Sequence, residues 1–195
     1  MYPLVYIARH GQTAWNAEHR LQGQADTDIN ARGRDQAAHN GRQLAALIGK
    51  GADFDFVASP MRRTRETMEL MRAAMGLDPL AYRTDPRLVE LSFGDWQGHT
   101  FAELEERVPG STDGRRAAKW DFQPPGEGAE SYEMLLERVK PWFDALRQPT
   151  VCVTHGGVIR CFFRFVAGLS KREAAGLEVP QNRLLRLEGR SLHWL

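Results

Sequence analysis

The chain has little of what several classes of protein require. It contains only two cysteines, Cys152 and Cys161, and both lie in apolar segments. They are expected to be small buried side chains, and a disulfide framework is not expected. The apolar runs are too short for a signal-peptide core of roughly 7–15 residues or a membrane span of about 18 residues. The sequence therefore predicts a soluble cytoplasmic protein.

No charge of either sign dominates. Lysine and arginine together number 26, aspartate and glutamate 25, and the formal net charge is +1. Proteins that bind nucleic acids or membrane surfaces usually carry a clustered excess of lysine and arginine, so neither partner is expected. There is also no His-Glu-x-x-His, no clustered Cys/His metal spacing and no P-loop glycine pattern. The length, 195 residues, suits one domain, 1–195, with a single substantial core.

Strands and helices alternate along the chain. The predicted strands are 2–8, 54–58, 80–84, 151–153 and 184–187. Three of the predicted helices are 61–75, 101–108 and 158–166. A fourth is capped by Asn30 and runs to Lys50, and a fifth begins at Ser131 and is weakened by Pro141. This alternation predicts a three-layer α/β/α sandwich with a mostly parallel central sheet. The segment 109–128, rich in glycine and proline, is predicted to be a long loop and a candidate substrate-selecting lid.

Two histidines follow buried strands in the same way. Arg9 and His10 directly follow the first predicted strand, His155 follows the strand at 151–153, and a glycine comes directly after each histidine. In open α/β sheets ligands bind at the carboxyl ends of strands, so both imidazoles are expected at one edge, where they can meet an anion such as phosphate. The glycines after His155 open a helix whose N-terminal amides also favour an anion. The alternative is two unrelated loop histidines, each satisfied by a local hydrogen bond. The other four histidines are read as ordinary surface or loop residues: His19, His39, His99 and His193.

Arg63 does not fit the solvated face of its predicted helix. At 100° per residue it projects at the edge of the inward side, whereas the other charged residues of the helix lie opposite: Arg62, Arg65, Glu66, Glu69 and Arg72. An arginine facing inward is costly unless it meets an anion. Because it lies in the first turn after a strand end, we expect Arg63 at the same sheet edge as the histidines. The alternative is an ion pair with a structural aspartate or glutamate.

The segment 90–98 combines two carboxylates with aromatic side chains and glycines. Phe93 and Trp96 can wall off a pocket, and a desolvated carboxyl group there can act as a general acid. The pattern leaves Glu90 and Asp95 as alternatives for that group.

Taken together, these segments resemble the histidine phosphatase superfamily, the phosphoglycerate mutase-like group. That group includes cofactor-dependent phosphoglycerate mutases, fructose-2,6-bisphosphatases and α-ribazole phosphatases. The resemblance covers nearly the whole chain and implies the phosphoglycerate mutase-like fold. It is carried by four motifs in the family's order: Arg9-His10-Gly11, Ser59-x-x-x-Arg63-x-x-x-Thr67, Glu90-x-x-Phe93-Gly94-x-Trp96-x-Gly98 and Thr154-His155-Gly156-Gly157.

The resemblance implies a role for each matching residue. His10 would be the nucleophile, attacking phosphorus as a neutral imidazole to form a phosphohistidine. Arg9, Arg63 and His155 would hold the phosphoryl oxygens and neutralise charge in the transition state. Glu90 would protonate the leaving oxygen and then deprotonate the water that releases phosphate.

Further contacts with phosphate or substrate are implied at Asn16 and Gly156, and by a looser match at Gln22 and Gly23. No metal or cofactor is expected, because two arginines and two histidines supply the positive charge. The resemblance therefore implies a metal-independent, histidine acid-type phosphatase acting on a small phosphorylated metabolite.

Hydrolysis and phosphoryl transfer between metabolites remain alternatives within this group. The mutases typically have Arg-His where this chain has Leu91-Ser92, and they have a C-terminal tail over the site, whereas 192–195 suggests packing. Both departures favour a phosphatase. Arg115-Arg116, followed by Pro124-Pro125, resembles the mutases' carboxylate-binding arginine pair, although the two arginines also suit a solvated loop. A catalytically silent phospho-ligand binder is a third hypothesis, and the retained nucleophile and acid candidates argue against it.

Overall fold

A six-stranded sheet forms the centre of the computed structural model, which describes residues 2–195. The strands are β1 (Tyr2–Arg9), β2 (Asp55–Ala58), β3 (Arg83–Thr84), β4 (Thr150–Thr154), β5 (Leu184–Gly189) and β6 (Ser191–Trp194). They lie in the order β3-β2-β4-β1-β5-β6. The first four strands in this order are parallel, while β5 is antiparallel to β1 and β6 to β5. The predicted sheet, mostly parallel, is confirmed.

Eight α-helices surround the sheet within the described residues: α1 (Ala14–Ala17), α2 (Ala31–Ile48), α3 (Arg62–Ala74), α4 (Phe101–Arg107), α5 (Asp113–Ala117), α6 (Tyr132–Asp144), α7 (Gly156–Val166) and α8 (Lys171–Gly176). Asn30 caps α2 as expected, because its side chain accepts a hydrogen bond from the Gly33 amide at 2.9 Å. Short 3-10 helices occupy Pro86–Leu88 and Gly94–Trp96.

The inner strands β1, β2, β4 and β5 bury residues on both faces, as parallel sheets do when helices cover each side, whereas the edge strands β3 and β6 do not. One face packs against α2 and α3 through Tyr6, Ala8, Val151, Val153, Leu44, Met68 and Met71. The opposite face packs against α6 and α7 through Val5, Ile7, Cys152, Leu135, Val139, Trp142 and Phe162. The three-layer α/β/α sandwich is thus confirmed, and Cys152 and Cys161 are buried free thiols.

The register of β1 and β4 positions the two histidines. Arg9 pairs with Thr154 in this parallel ladder, so His10 and His155 leave the sheet side by side at its carboxyl edge. The backbone amide of His10 still donates to the Thr154 carbonyl at 2.9 Å. The two histidines that follow separate strands in the sequence therefore lie in one site.

Several local predictions differ from the structure. The predicted strand 80–84 is reduced to Arg83–Thr84, and the predicted loop 109–128 contains the five-residue helix α5. Arg72 is buried rather than solvated, because its guanidinium lies 4.4 Å from the Phe56 ring centroid and its Nε donates to the Asp78 carbonyl at 2.8 Å. Pro141 lies inside α6, as expected, and the helix continues to Asp144. Across residues 2–195, none of the helices combines the length and the apolar character needed to cross a membrane.

Candidate active site

A cavity of about 190 Å³ lies at the carboxyl edge of the sheet, where β1, β4 and β2 end. It brings together eight of the nine residues that the sequence analysis selected: Arg9, His10, Asn16, Gln22, Gly23, Arg63, Glu90 and Gly156. The ninth, His155, lies against His10, with ring centroids 5.3 Å apart. Asp95, the rival carboxylate, is exposed and does not line the cavity.

Hydrogen bonding determines which nitrogen of His10 is free. Nδ1 lies 2.8 Å from the Gly11 carbonyl oxygen, and since a carbonyl only accepts, Nδ1 carries the hydrogen. The lone pair therefore resides on Nε2. The side chain is only 2 % exposed, and burial, followed by the charges of Arg63 and Arg9, holds the pKa of His10 well below its usual value. The imidazole is therefore neutral near pH 7.

The loop after His10 is clamped between α2 and α3. The Gly11 amide donates to Thr67 Oγ1 at 3.0 Å, and Thr67 in turn donates to the Arg63 carbonyl at 2.7 Å. A Cβ on Gly11 would lie 2.3 Å from the Gly33 carbonyl oxygen, so only glycine permits this approach. These contacts explain why a threonine one turn after Arg63 belongs to the motif.

Arg9 and Arg63 are cations anchored by backbone carbonyls, and Arg63 is completely buried while Arg9 is half-buried. Arg9 Nη1 donates to the Val179 carbonyl at 2.9 Å, and Arg63 donates to the carbonyls of Ala25 and Gly23 at 2.7 and 2.6 Å. Gly23 has φ +51°, a conformation that favours glycine and turns its carbonyl to this task. Burial lowers the pKa of each guanidinium to about 10, where it stays charged near neutrality.

Neither arginine has a carboxylate partner among the described residues, so the alternative of a structural ion pair for Arg63 is wrong. The Nε atom of each arginine is also buried, and it has no hydrogen-bond partner among residues 2–195. An anion entering the cavity would meet two positive charges that form no ion pair within residues 2–195.

His155 is completely buried behind His10. Its Nε2 lies 2.8 Å from Ser59 Oγ, while its Nδ1 has no hydrogen-bond partner within residues 2–195. Burial, and then the charge of Arg63, lowers the pKa of His155 well below its usual value. The serine at the end of β2 thus orients this imidazole, which gives Ser59 of the motif a function in the site.

Glu90 is held at the N-terminus of α7. The Gly157 amide donates to both carboxylate oxygens, at 3.1 and 3.0 Å, and the Leu91 amide donates to Oε1 at 2.9 Å. A Cβ on Gly157 would lie 2.2 Å from Oε1, so the second glycine after His155 leaves space for the carboxylate. Of the two carboxylates that the sequence left open, Glu90 reaches the cavity.

Asn16 is oriented by a residue that the sequence analysis missed. Its Oδ1 accepts from the Thr13 amide at 3.2 Å and from Gln181 Nε2 at 2.9 Å, which leaves the Asn16 amide group free to donate. Gln181 also donates to the His10 carbonyl at 3.2 Å. Gln22, another selected residue, bonds to Thr13 Oγ1. No pattern in the sequence marks Gln181, which is separated from Asn16 by 165 positions.

The arginine pair of the predicted lid is divided between two environments. Arg115 is 8 % exposed and lines the cavity, with its guanidinium 5.6 Å from the Phe93 ring centroid. Arg116 is exposed and pairs with Asp113 and Glu105. Sequence reasoning also missed Lys119 and Arg160, two further cations in the cavity wall.

Comparison with known proteins gives the family. The family model described as the histidine phosphatase superfamily (branch 1) matches residues 5–194. The chain is 30% identical to a probable phosphoglycerate mutase GpmB of Serratia proteamaculans, over 98% of this chain and 87% of the relative. It is 35% identical to a glucosyl-3-phosphoglycerate phosphatase of Mycobacterium tuberculosis, over 78% and 70%. A solved mycobacterial glucosyl-3-phosphoglycerate phosphatase in complex with VO3 has a TM-score of 0.77 at 30% identity, covering 99% of this chain and 96% of its own. The chain belongs to the histidine phosphatase superfamily.

Proposed function

We propose that this protein is a metal-independent phosphomonoester hydrolase of the histidine acid phosphatase type, acting on a small phosphorylated metabolite through a phosphohistidine on His10. The observation that carries the proposal is the free Nε2 of a neutral His10, in one cavity with two arginines that lack carboxylate partners among the described residues. A nucleophile and unneutralised positive charge in one small cavity suit attack on a phosphoryl dianion.

In the first step, the Nε2 lone pair attacks phosphorus and the ester P–O bond breaks. The leaving oxygen takes a proton from Glu90, and Arg9 and Arg63 stabilise the charge on the equatorial oxygens. Asn16 contributes its free amide donor, and the Nδ1–H bond to the Gly11 carbonyl supports the positive charge on the phosphorylated ring.

In the second step, water attacks phosphorus while Glu90 accepts one of its protons. The P–N bond breaks, inorganic phosphate leaves, and His10 returns to the neutral imidazole. Glu90 then holds the proton that the next cycle needs. Atoms and charges balance over the two steps without a metal ion.

The two residues that follow Glu90, Leu91 and Ser92, favour hydrolysis over mutase chemistry. Leu91 is 2 % exposed and lines the cavity, and Ser92 is buried as well. The apolar Leu91 and the small, uncharged Ser92 stand where the mutases typically carry Arg-His. The mutase stays the second candidate because Arg115 lines the cavity and because one relative is named a probable phosphoglycerate mutase.

The test compares wild type with His10→Ala and with His193→Ala, which removes an exposed histidine outside the cavity. We expect wild type and His193→Ala to hydrolyse p-nitrophenyl phosphate equally, with and without a metal chelator. His10→Ala should be inactive. Rapid quenching under neutral or alkaline conditions should trap an acid-labile phosphohistidine in wild type only.

Absence of turnover and of phosphohistidine in pure wild type would refute the enzyme hypothesis and favour a silent binder. Loss of activity with the chelator would refute metal independence. Interconversion of 2- and 3-phosphoglycerate that is stimulated by the bisphosphate and faster than phosphate release would establish the mutase instead.

A further inference from the structure

The cavity contains more positive charge than the phosphoryl group requires. Besides Arg9 and Arg63, its wall includes Arg115, Lys119 and Arg160, and none of these three forms an ion pair within the described part of the chain. Another cation of the wall, Arg20, is paired with Glu18 and Glu103 by contrast. Unpaired cations that share a partly buried cavity repel one another, and an anion relieves that cost.

Three of these cations are anchored by one stretch of backbone, 175–179. Lys119 Nζ donates to the Ala175 carbonyl at 2.6 Å, Arg160 Nε to the Leu177 carbonyl at 3.0 Å, and Arg9 Nη1 to the Val179 carbonyl at 2.9 Å. We call these three side chains the cation row. Every second carbonyl holds one cation, so the row leads from the phosphoryl site at Arg9 to Lys119.

Arg160 occupies the middle of the cation row. A Cβ on Gly156 would lie 3.3 Å from Arg160 Nη1 and 3.7 Å from Arg9 Nε, so both guanidinium groups flank the same point in the cavity wall. The hydroxyl of Tyr132 lies 3.4 Å from Arg160 Nη1. Burial, then the charges of Arg160 and Arg115, lower the pKa of Lys119 to about 8, in agreement with their proximity.

We propose that Arg160 and Lys119 form a subsite for a second anionic group, so that preferred substrates are phosphomonoesters whose alcohol carries a carboxylate or a second phosphate close to the ester oxygen. This rests on the proposed function for its catalytic consequence. The carbonyl anchors orient the two cations without neutralising them, so they remain available for charge-assisted hydrogen bonds to a ligand. The small volume of the cavity places the second anion near the first.

The test measures binding separately from turnover. In a His10→Ala background, which cannot form the phosphohistidine, titration calorimetry gives the Kd of glycerol 3-phosphate, 3-phosphoglycerate and glycerol 1,3-bisphosphate. The first has a neutral alcohol, the second a carboxylate and the third a second phosphate. The variants are Lys119→Met, Arg160→Gln and the charge-conserving Lys119→Arg, and the matched control is Arg172→Met, an exposed cation outside the cavity.

We expect at least one of the two doubly anionic ligands to bind roughly 10- to 100-fold more tightly than glycerol 3-phosphate, the range of a charge-assisted hydrogen bond of about 1.5–3 kcal/mol. Lys119→Met and Arg160→Gln should each reduce that ratio at least several-fold, while Lys119→Arg and Arg172→Met preserve it. Comparison of 3-phosphoglycerate with glycerol 1,3-bisphosphate identifies whether the subsite binds a carboxylate or a second phosphate. The ratio divides the Kd values of two ligands for the same variant. A general loss of structure would weaken both ligands alike and would therefore leave the ratio unchanged.

Equal affinity for all three ligands in the His10→Ala protein would refute the subsite, as would a ratio that survives both cavity substitutions. Thermal melts identify a variant that fails to fold, in which case the other cavity substitution decides. Phosphate release by wild type is measured alongside. Activity without anion preference would overturn this inference alone, whereas absence of activity on every ester would overturn the proposed function alone.

Discussion

Replacing Gly157 by alanine tests whether the position of Glu90 determines the rate. The new Cβ would lie 2.2 Å from Oε1, and an ordinary contact begins at 3.4 Å, so the carboxylate must retreat by about 1.2 Å. The retreat also lengthens the two hydrogen bonds from the Gly157 amide. A displacement of ~1 Å in a catalytic group can cost on the order of 100-fold in rate. We therefore expect kcat/KM to fall about 100-fold.

The leaving group should reveal that the lost step is acid catalysis. p-Nitrophenolate leaves readily without a proton, whereas an alkoxide does not, so the loss should be larger for glycerol 3-phosphate than for p-nitrophenyl phosphate. Glu90→Gln should show the same dependence, with a loss of about 10²–10⁴-fold for the alkyl ester. The double variant should be no slower than Glu90→Gln alone, because both substitutions remove one interaction.

Gly176→Ala is the matched control for this substitution. Gly176 ends α8, and a Cβ there has no neighbour within 4 Å, so the same added methyl group meets open space. Its activity should equal that of wild type. The reasoning is refuted if Gly157→Ala retains activity within twofold, or if its effect multiplies with that of Glu90→Gln.

Three further predictions concern pH, positioning and the core. Burial keeps the pKa of His10 and of His155 in the folded state below 6.5. Below that pH the unfolded chain therefore binds protons that the folded chain does not. Each histidine should then lower the free energy of unfolding by ~1.4 kcal/mol for each pH unit of acidification. Melting curves between pH 6.5 and 5 should therefore decline less steeply for His10→Gln, and an unchanged slope would contradict this. Gln181→Leu should weaken binding of inorganic phosphate about fivefold, because it removes the hydrogen bond that orients Asn16. The substitution should have little effect on Tm. A change in Tm without a change in phosphate affinity would indicate a purely structural role. Phe162→Ala, at a fully buried ring 3.6 Å from the Phe143 ring centroid, should lower the free energy of unfolding by about 3–5 kcal/mol in urea titration, and a loss below 1 kcal/mol would refute the packing argument.

Much of the site could be predicted because its residues follow local rules. A histidine directly after a buried strand must emerge at the carboxyl edge, and parallel pairing of β1 with β4 then places His10 beside His155. The 100° period of a helix distinguished Arg63 from its charged neighbours, and Arg63 is buried at the cavity. The same period failed for Arg72, because Phe56 and the Asp78 carbonyl cover it from outside its helix.

The rest of the cavity wall depends on contacts that no local pattern records. Lys119 and Arg160 are directed by backbone carbonyls, whose position depends on the path of the chain and not on residue type. The prediction of a continuous loop over 109–128 failed in part for a related reason. Glycine and proline around 109–128 suggest a loop, yet five residues suffice for α5, which places Arg115 in the cavity and Arg116 in solvent.

The anchors of the cations explain how one cavity can remain strongly positive. A carboxylate partner would satisfy the donors of a guanidinium but would also cancel its charge, whereas a carbonyl satisfies donors and leaves the charge. Arg9, Arg63, Arg160 and Lys119 all follow the second arrangement. The single carboxylate that lines the cavity within residues 2–195, Glu90, is held by backbone amides instead of by any of these cations. Because burial opposes the charged form of each arginine, the free protein bears a cost that a bound phosphoryl group would remove, and that difference favours binding of an anion at this edge of the sheet.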